Sequence, residues 1–136
     1  MVFTFANPLV SVGGASVTSG PGSVVGATSG INPADNHEYI ANLTGVTNAS
    51  RVTVTLTNIV DTAGNTTASL PGTMGVLLGD TTGSGATNST DVSQTKSNSG
   101  KAADTDTFRT DVTISGVINS TDVSTVKASS GTALPP

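Results

Sequence analysis

The chain has 136 residues, of which 10% are charged, and its formal net charge is −4. Five Lys and Arg residues cannot build the basic patch that a nucleic-acid binder needs. The absence of cysteine excludes a disulfide framework, thiolate zinc sites and cysteine nucleophiles. No apolar run is as long as a membrane-spanning helix, which takes about 18 residues, and no signal peptide is visible at the start.

Residues 1–79 have the pattern of short β-strands. Val and Thr are β-formers, and the predicted strands cover residues 2–5, 15–18, 23–27, 37–43, 51–58 and 73–78. The clearest is the stretch 51–58, where Val52, Val54 and Leu56 alternate with threonines. Because side chains alternate between the two faces of a strand, this stretch predicts one buried face and one wet face.

The spacing and number of these strands predict a mainly β fold. Six or seven short strands with turn signals between them are typical of a β-sandwich of the immunoglobulin or fibronectin type. The Cys and Trp residues of antibody cores are absent, so only the general architecture is implied. We therefore expect an immunoglobulin-like β-sandwich over residues 1–79 and a second, small helical domain over residues 80–136.

An internal duplication begins after Gly79. Residues 80–93 align with residues 111–124 at a constant offset of 31, and both copies contain the run Asn-Ser-Thr-Asp-Val-Ser. Each copy predicts a glycine-turned loop followed by one short helix. Residues 101–110 link the copies, and Phe108 is the expected apolar plug between them.

Each loop has the spacing of a calcium loop of the EF-hand kind, with Asp at its first position, Gly at its sixth and Asp at its twelfth. Hydroxyl residues occupy the third and fifth positions, so each loop offers only two carboxylates, and we expect weak binding at millimolar calcium. The candidate ligands of the first loop are Asp80, Thr82, Ser84, the carbonyl of Ala86, Asn88 and Asp91. Those of the second are Asp111, Thr113, Ser115, the carbonyl of Val117, Asn119 and Asp122.

A metal-free interpretation of the same residues stays open. Asn88 precedes Asp91 by three residues, and Asn119 precedes Asp122 by three. This spacing is typical of a capping box, in which the two residues start a helix by bonding each other's backbone. On this interpretation the loops are capped helix starts without an ion.

The duplicated segment, at about residues 79–134, resembles a type I dockerin, the paired calcium module that plugs secreted enzymes into cohesin domains. Ser-Thr pairs before the last ligand and a downstream lysine match the family's recognition residues, here Ser89, Thr90, Lys96, Ser120, Thr121 and Lys127. The whole chain also resembles C-terminal regions of secreted bacterial surface proteins, in which an immunoglobulin-like domain precedes the sequence MGVLLGD, here residues 74–80. In those relatives further strand-forming residues precede the counterpart of residues 2–5, so the resemblance implies a sandwich that lacks its first strand.

These observations predict a non-catalytic, extracellular or cell-surface protein. One His residue, no Gly-x-Ser-x-Gly motif and no activated acid pair leave no catalytic set. The leading hypothesis is a structural subunit that joins like subunits head to tail in a filament or surface layer. Val2, Phe3 and Phe5 would then line the gap in an incomplete sandwich or be the strand donated to a neighbour. The alternative is a docking module that binds a cohesin-like receptor.

Overall fold

A computed structural model describes residues 1–136. The chain is mainly β, with two α-helices near its C-terminus, as the sequence predicts. It divides into two compact units, residues 1–74 and residues 75–136. The predicted boundary after residue 79 lies five residues beyond this division.

Nine strands precede the helices. They are β1 (Val2–Thr4), β2 (Leu9–Ser11), β3 (Gly14–Ser19), β4 (Ser23–Val24), β5 (Gly30–Ile31), β6 (Glu38–Ile40), β7 (Leu43–Thr44), β8 (Ser50–Asp61) and β9 (Thr66–Val76). The first sheet has the strand order β1-β6-β5, and the second has the order β2-β8-β3 with β9 also paired to β8. Strands β4 and β7 form a two-stranded sheet.

The long strand β8 organises the second sheet. Val52, Val54 and Leu56 are fully buried, while the threonines between them are partly exposed, which is the alternation that the sequence predicts. The alternation then shifts by one residue, because Asn58 has a φ of 48° and Ile59 becomes the next buried residue. Asn is one of the few residues other than Gly that tolerate this left-handed region.

A glycine faces this irregularity in β8. The backbone N–H of Gly13 donates to the carbonyl of Thr57 at 2.8 Å. A side chain at residue 13 would place its Cβ 2.9 Å from the Cβ of Asn58. The close approach of the two backbones therefore requires glycine here.

Side chains from the two larger sheets share one core. Phe3 and Tyr39 of the first sheet belong to the same buried cluster as Leu9, Val54 and Leu56 of the second. Two layers of strands around one apolar core are the arrangement of a sandwich. The immunoglobulin-like topology and the missing first strand stay predictions.

The short strands were the hardest elements to predict. No separate strand is predicted at β2, at β5 or at the first half of β9. Residues 77 and 78 are predicted as strand, although β9 ends at Val76. The strand predicted over residues 23–27 ends at Val24 in the structure, and a short 3-10 helix, Gly26–Thr28, follows. Strands of two or three residues form because a partner strand lies alongside, and so they leave little pattern in the sequence.

The second unit contains both helices, α1 (Ser89–Asn98) and α2 (Ser120–Ala128), which pack against each other. A 3-10 helix, Phe108–Thr110, lies in the segment between them. Neither α-helix has the length and apolar character needed to cross a membrane.

Candidate functional site: the duplicated loops and their helices

Both helices start with the same cap. The side-chain oxygen of Asn88 accepts from the backbone N–H of Thr90 at 2.8 Å, and the backbone N–H of Asn88 donates to Asp91 Oδ2 at 2.8 Å. These reciprocal bonds satisfy N–H groups that a helix start otherwise leaves unpaired. In the second copy the corresponding distances are 2.7 Å, from Thr121 to Asn119, and 2.9 Å, from Asn119 to Asp122.

The carboxylate at the twelfth position of each loop also binds the residue at the third. Asp91 Oδ1 accepts from the backbone N–H of Thr82 at 2.9 Å and from its hydroxyl at 2.8 Å. Asp122 Oδ1 accepts from the backbone N–H of Thr113 at 3.0 Å and from its hydroxyl at 2.7 Å. Both aspartates have an exposed fraction of 0%. Each buried carboxylate thus joins the start of its loop to the start of its helix.

Hydrogen bonds keep these two buried carboxyls ionised. Burial is the largest single influence on Asp91 and Asp122, and it raises their pKa. For Asp91 it is opposed by hydrogen bonds from the backbone of Asn88 and from both donors of Thr82, whose sum holds the pKa below its ordinary value. The same bonds from Asn119 and Thr113 lower the pKa of Asp122.

The carboxylate at the first position binds the backbone of its own loop. Asp80 Oδ1 accepts from the N–H of Ser84 at 2.9 Å, and Asp80 Oδ2 accepts from the N–H of Gly85 at 2.8 Å. These bonds, to residues four and five positions further on, fold the loop around the side chain. In the second copy, Asp111 accepts from Ser115 at 3.0 Å and from Gly116 at 2.7 Å.

The remaining candidate ligands bind one another. The hydroxyl of Ser84 donates to the carbonyl of Ala86 at 2.9 Å, and the side-chain amide of Asn88 lies 3.4 Å from the same oxygen. In the second copy, Ser115 donates to the carbonyl of Val117 at 2.8 Å, and Asn119 lies 3.2 Å from it. The third, fifth, seventh, ninth and twelfth positions therefore form donor–acceptor pairs within each loop.

One loop residue has a backbone geometry that the sequence pattern did not predict. The fourth position of the first loop is Gly83, with a φ of 74°, but its counterpart Ile114 has a φ of 56° and is 91% exposed. A β-branched residue is strained in this region. The offset of 31 pairs Ile114 with a glycine, and this pairing was the signal that could have revealed the strain.

The residues that the sequence predicts to contact a partner lie on the exposed side of the helices. Ser89, Thr90 and Lys96 are exposed on α1, and their counterparts Ser120, Thr121 and Lys127 are exposed on α2. Ser89 and Lys96 are seven residues apart, which puts them on one face two turns from each other. Asp91 and Thr95 are buried on the other side of α1.

The other predicted partner residues lie in β1 and just after it. Phe3 is 8% exposed and belongs to the chain's own core, Val2 is exposed and Phe5 is half-buried. Strand β1 pairs antiparallel with β6, and the N-terminal amine donates to the carbonyl of Ala41 at 2.8 Å.

The structure does not place Phe108 as a plug between the copies. Its exposed fraction is 61%, whereas the neighbouring Thr107 and Thr110 are buried, together with Ile118 and Val126 of the second copy. The 3-10 turn at Phe108–Thr110 directs Thr110 inward, and its hydroxyl donates to the carbonyl of Thr107 at 2.7 Å. The adjacent Arg109, also missed, donates to the carbonyl of Asp80 at 3.2 Å.

Comparison with known protein families finds a match over the two loops and their helices. Residues 78–129 match the family model of the dockerin type I domain. The matched segment spans both loops and both helices and supports a dockerin-like module, but it leaves residues 1–77 without a family. No curated protein and no solved structure matches the chain. Modules of this family dock one protein to another and are not catalytic, and in general they bind calcium.

The donor set of these loops is poor for the family's calcium ion. Calcium takes about six to eight oxygen ligands, and its affinity rises with the number of charged ones. Each loop supplies two carboxylates, and nowhere do three or more His, Cys, Asp or Glu side chains form a group that could hold a metal. The shortest contacts of the Thr82 and Ser84 hydroxyls are with Asp91 Oδ1 and with the Ala86 carbonyl, two of the oxygens that an ion would need, and both hydroxyls also lie 3.4 Å from Asp80 Oδ1.

Proposed function

We propose that this chain is a non-catalytic, extracellular docking protein that binds a cohesin-like receptor through the exposed faces of α1 and α2. The observation that carries the proposal is the dockerin type I match over residues 78–129, together with the exposure of both sets of recognition residues. Proteins that carry such modules are secreted or held at the cell surface, which supports an extracellular location.

The chemistry of the proposed face suits a polar contact. Hydroxyls at Ser89 and Thr90 offer both donors and acceptors, and Lys96 adds a positive charge two turns away. The N-cap bonds hold the first turn rigid, so little side-chain and backbone freedom is lost on binding.

The duplication supplies this face twice. Ser120, Thr121 and Lys127 repeat it on α2 with the same cap and the same spacing. A partner that fits one face therefore fits the other after the module is turned, so we expect one receptor per chain in either of two orientations.

Binding to a purified type I cohesin domain, measured by isothermal titration calorimetry, tests the proposal. Changing both pairs, Ser89→Asp with Thr90→Arg and Ser120→Asp with Thr121→Arg, should abolish binding. Changing one pair should leave binding within about two-fold of the original, because the loss of one of two equal orientations costs only a factor of two in affinity.

A matched control is Thr66→Asp with Thr67→Arg. Both threonines are exposed at the start of β9 and lie outside residues 78–129, so the same kind of replacement there should leave binding unchanged. No binding by the unaltered chain to a panel of cohesins, or equal binding by the four-residue variant, would refute docking through these faces.

A second candidate is the head-to-tail subunit, and one observation favours a narrower form of it. Strand β1 lies at the end of the β1-β6-β5 sheet and has no strand paired to its outer edge, which is where a strand from a second copy would add. Since Phe3 is used in the chain's own core, β1 would be the acceptor and not the donated strand. Negative-stain microscopy and light scattering should show filaments or oligomers, and a monomer at high concentration would eliminate this candidate.

A further inference from the structure

We infer that the two loops keep their shape by hydrogen bonds between hydroxyls and carboxylates, and that the helices they precede fold without calcium. This inference concerns the loops themselves and holds whether or not the chain binds a cohesin. It also decides between the two interpretations that the sequence leaves open, the calcium loop and the capped metal-free loop.

The hydroxyl at the third position of each loop makes a bond that a carboxylate there could not make. An ionised carboxylate only accepts hydrogen bonds, whereas a Thr hydroxyl also donates one. A carboxylate in place of Thr82 would face Asp91 as acceptor against acceptor, and a cation would have to separate them. The Thr82 hydroxyl instead donates to Asp91 at 2.8 Å and removes the need for the ion.

At the fifth position, too, a hydroxyl makes a hydrogen bond where a calcium loop has a contact with the ion. The Ser84 hydroxyl donates to the carbonyl of Ala86 at 2.9 Å. In a calcium loop that carbonyl and the side chain at the fifth position both point their oxygens at the ion. Here one is the donor and the other the acceptor, so the pair is satisfied by itself.

The second copy contains both of these hydroxyl hydrogen bonds. Thr113 donates to Asp122 at 2.7 Å, and Ser115 donates to the carbonyl of Val117 at 2.8 Å. The side chains that make these bonds are identical in the two copies, so both loops have the same hydrogen bonds. No buried side-chain nitrogen or oxygen in the structure lacks a hydrogen-bond partner, and the oxygens of Asp91 and Asp122 all accept hydrogen bonds from their own loops.

The test measures thermal unfolding of the full chain by circular dichroism at 222 nm. Both α-helices lie in residues 75–136, so this signal reports the loop–helix unit. The expected result is the same melting temperature in EGTA and in 10 mM calcium chloride, with magnesium chloride at equal ionic strength as the control.

The measurement is sensitive even to weak binding. At about ten times its Kd an ion stabilises the folded state by a factor of about 11, or about 1.4 kcal/mol for each loop. For a unit of this size two such loops would raise the melting temperature by more than about 10 °C. A calcium-specific rise of that order, or a saturable calcium isotherm in calorimetry, would overturn the inference.

Variants test the hydroxyls directly. Thr82→Val with Thr113→Val keeps the shape but removes both hydroxyl donors, and it should lower the melting temperature in EGTA, whereas Thr82→Ser with Thr113→Ser should not. If the valine pair is as stable as the original chain, the hydroxyl bonds do not hold the loops. The double serine variant still tests the inference if the double valine variant fails to fold. It keeps both hydroxyls, so a large loss of stability in it would show that the hydroxyls alone do not hold the loops.

A gain-of-calcium variant completes the design. Replacing Thr82, Ser84, Thr113 and Ser115 by Asp gives each loop four carboxylates and no hydroxyl donor at these positions. Its helices should be lost in EGTA and recovered in calcium. If this variant folds equally well in EGTA, the acceptor-against-acceptor argument is wrong.

Discussion

The change Asp91→Asn tests the central contact of the first loop. Asp91 is fully buried, and its two oxygens accept from the N–H and hydroxyl of Thr82 and from the N–H of Asn88. Asparagine has nearly the same volume but presents one oxygen and one NH2 group. Whichever way the amide turns, its NH2 faces a backbone N–H, of Thr82 or of Asn88, and that donor loses its partner.

The expected cost follows from these contacts. A buried donor without a partner costs about 1–3 kcal/mol, and the bonds that survive lose the strengthening that a charged acceptor provides, about 1 kcal/mol. We therefore expect the free energy of unfolding of the helical unit to fall by about 2–4 kcal/mol. Asp122→Asn should behave alike, because Thr113 and Asn119 make the same bonds to Asp122.

Urea unfolding followed at 222 nm measures this loss, with Asp106→Asn as the matched control. Asp106 is exposed in the segment between the copies, so the same chemical change should alter stability by less than about 0.5 kcal/mol there. A loss below about 0.5 kcal/mol for Asp91→Asn would refute the reasoning, since the carboxylate would then not join the loop to the helix.

Three further predictions concern single residues. Ile114→Gly should stabilise the second loop by about 0.5–1 kcal/mol in urea unfolding. Glycine relieves the strain at a φ of 56°, and this gain exceeds the added entropy of the unfolded chain. A loss of stability would mean that the Ile114 side chain makes a contact that holds the loop. Asp61, whose pKa is lowered to about 2 mainly by the side-chain amides of Asn65 and Asn7, should titrate near that value by carboxyl NMR. Because its folded pKa lies below its ordinary value, its contribution to the β unit is complete at neutral pH and is lost as the pH falls from about 4 towards 2, and Asp61→Asn should remove that part of the acid sensitivity. Leu56→Ala, at a fully buried core position, should destabilise the β unit by about 3–5 kcal/mol in near-UV-monitored unfolding, while the helical signal provides the internal control.

Much of the helical unit could be predicted from the sequence, because its signals are local. The duplication with an offset of 31 shows two equivalent copies, and the spacing from Asn88 to Asp91 predicts a helix start that the structure contains. A capping box and a glycine turn each involve residues within a few positions of one another. Such features need no distant partner, so a single sequence is enough to reveal them.

Strand β8 was predictable for a similar reason. Its alternation of Val and Thr is long enough to show a buried and an exposed face without knowledge of the neighbouring strands. Asn58 interrupts this pattern, and the sequence contains no sign of the shift. The backbone turns there because β3 pairs with residues 53–57 of β8, before the irregularity, and β2 pairs with residues 60–61, after it.

By itself, then, the sequence determined the mainly β composition, the two loop–helix copies and their caps, all of which depend on periodicity or on neighbours in the chain. Tertiary structure alone decided which oxygens of the loops are donors and which are acceptors. Thr82 and Asp91 are nine residues apart, and only the folded loop brings the hydroxyl of one to the carboxylate of the other. The spacing of these residues in the sequence predicts calcium ligands, whereas their positions in the folded loop form a hydrogen-bond network. Both are compatible with the sequence, because a hydroxyl can donate or accept until its partner is known.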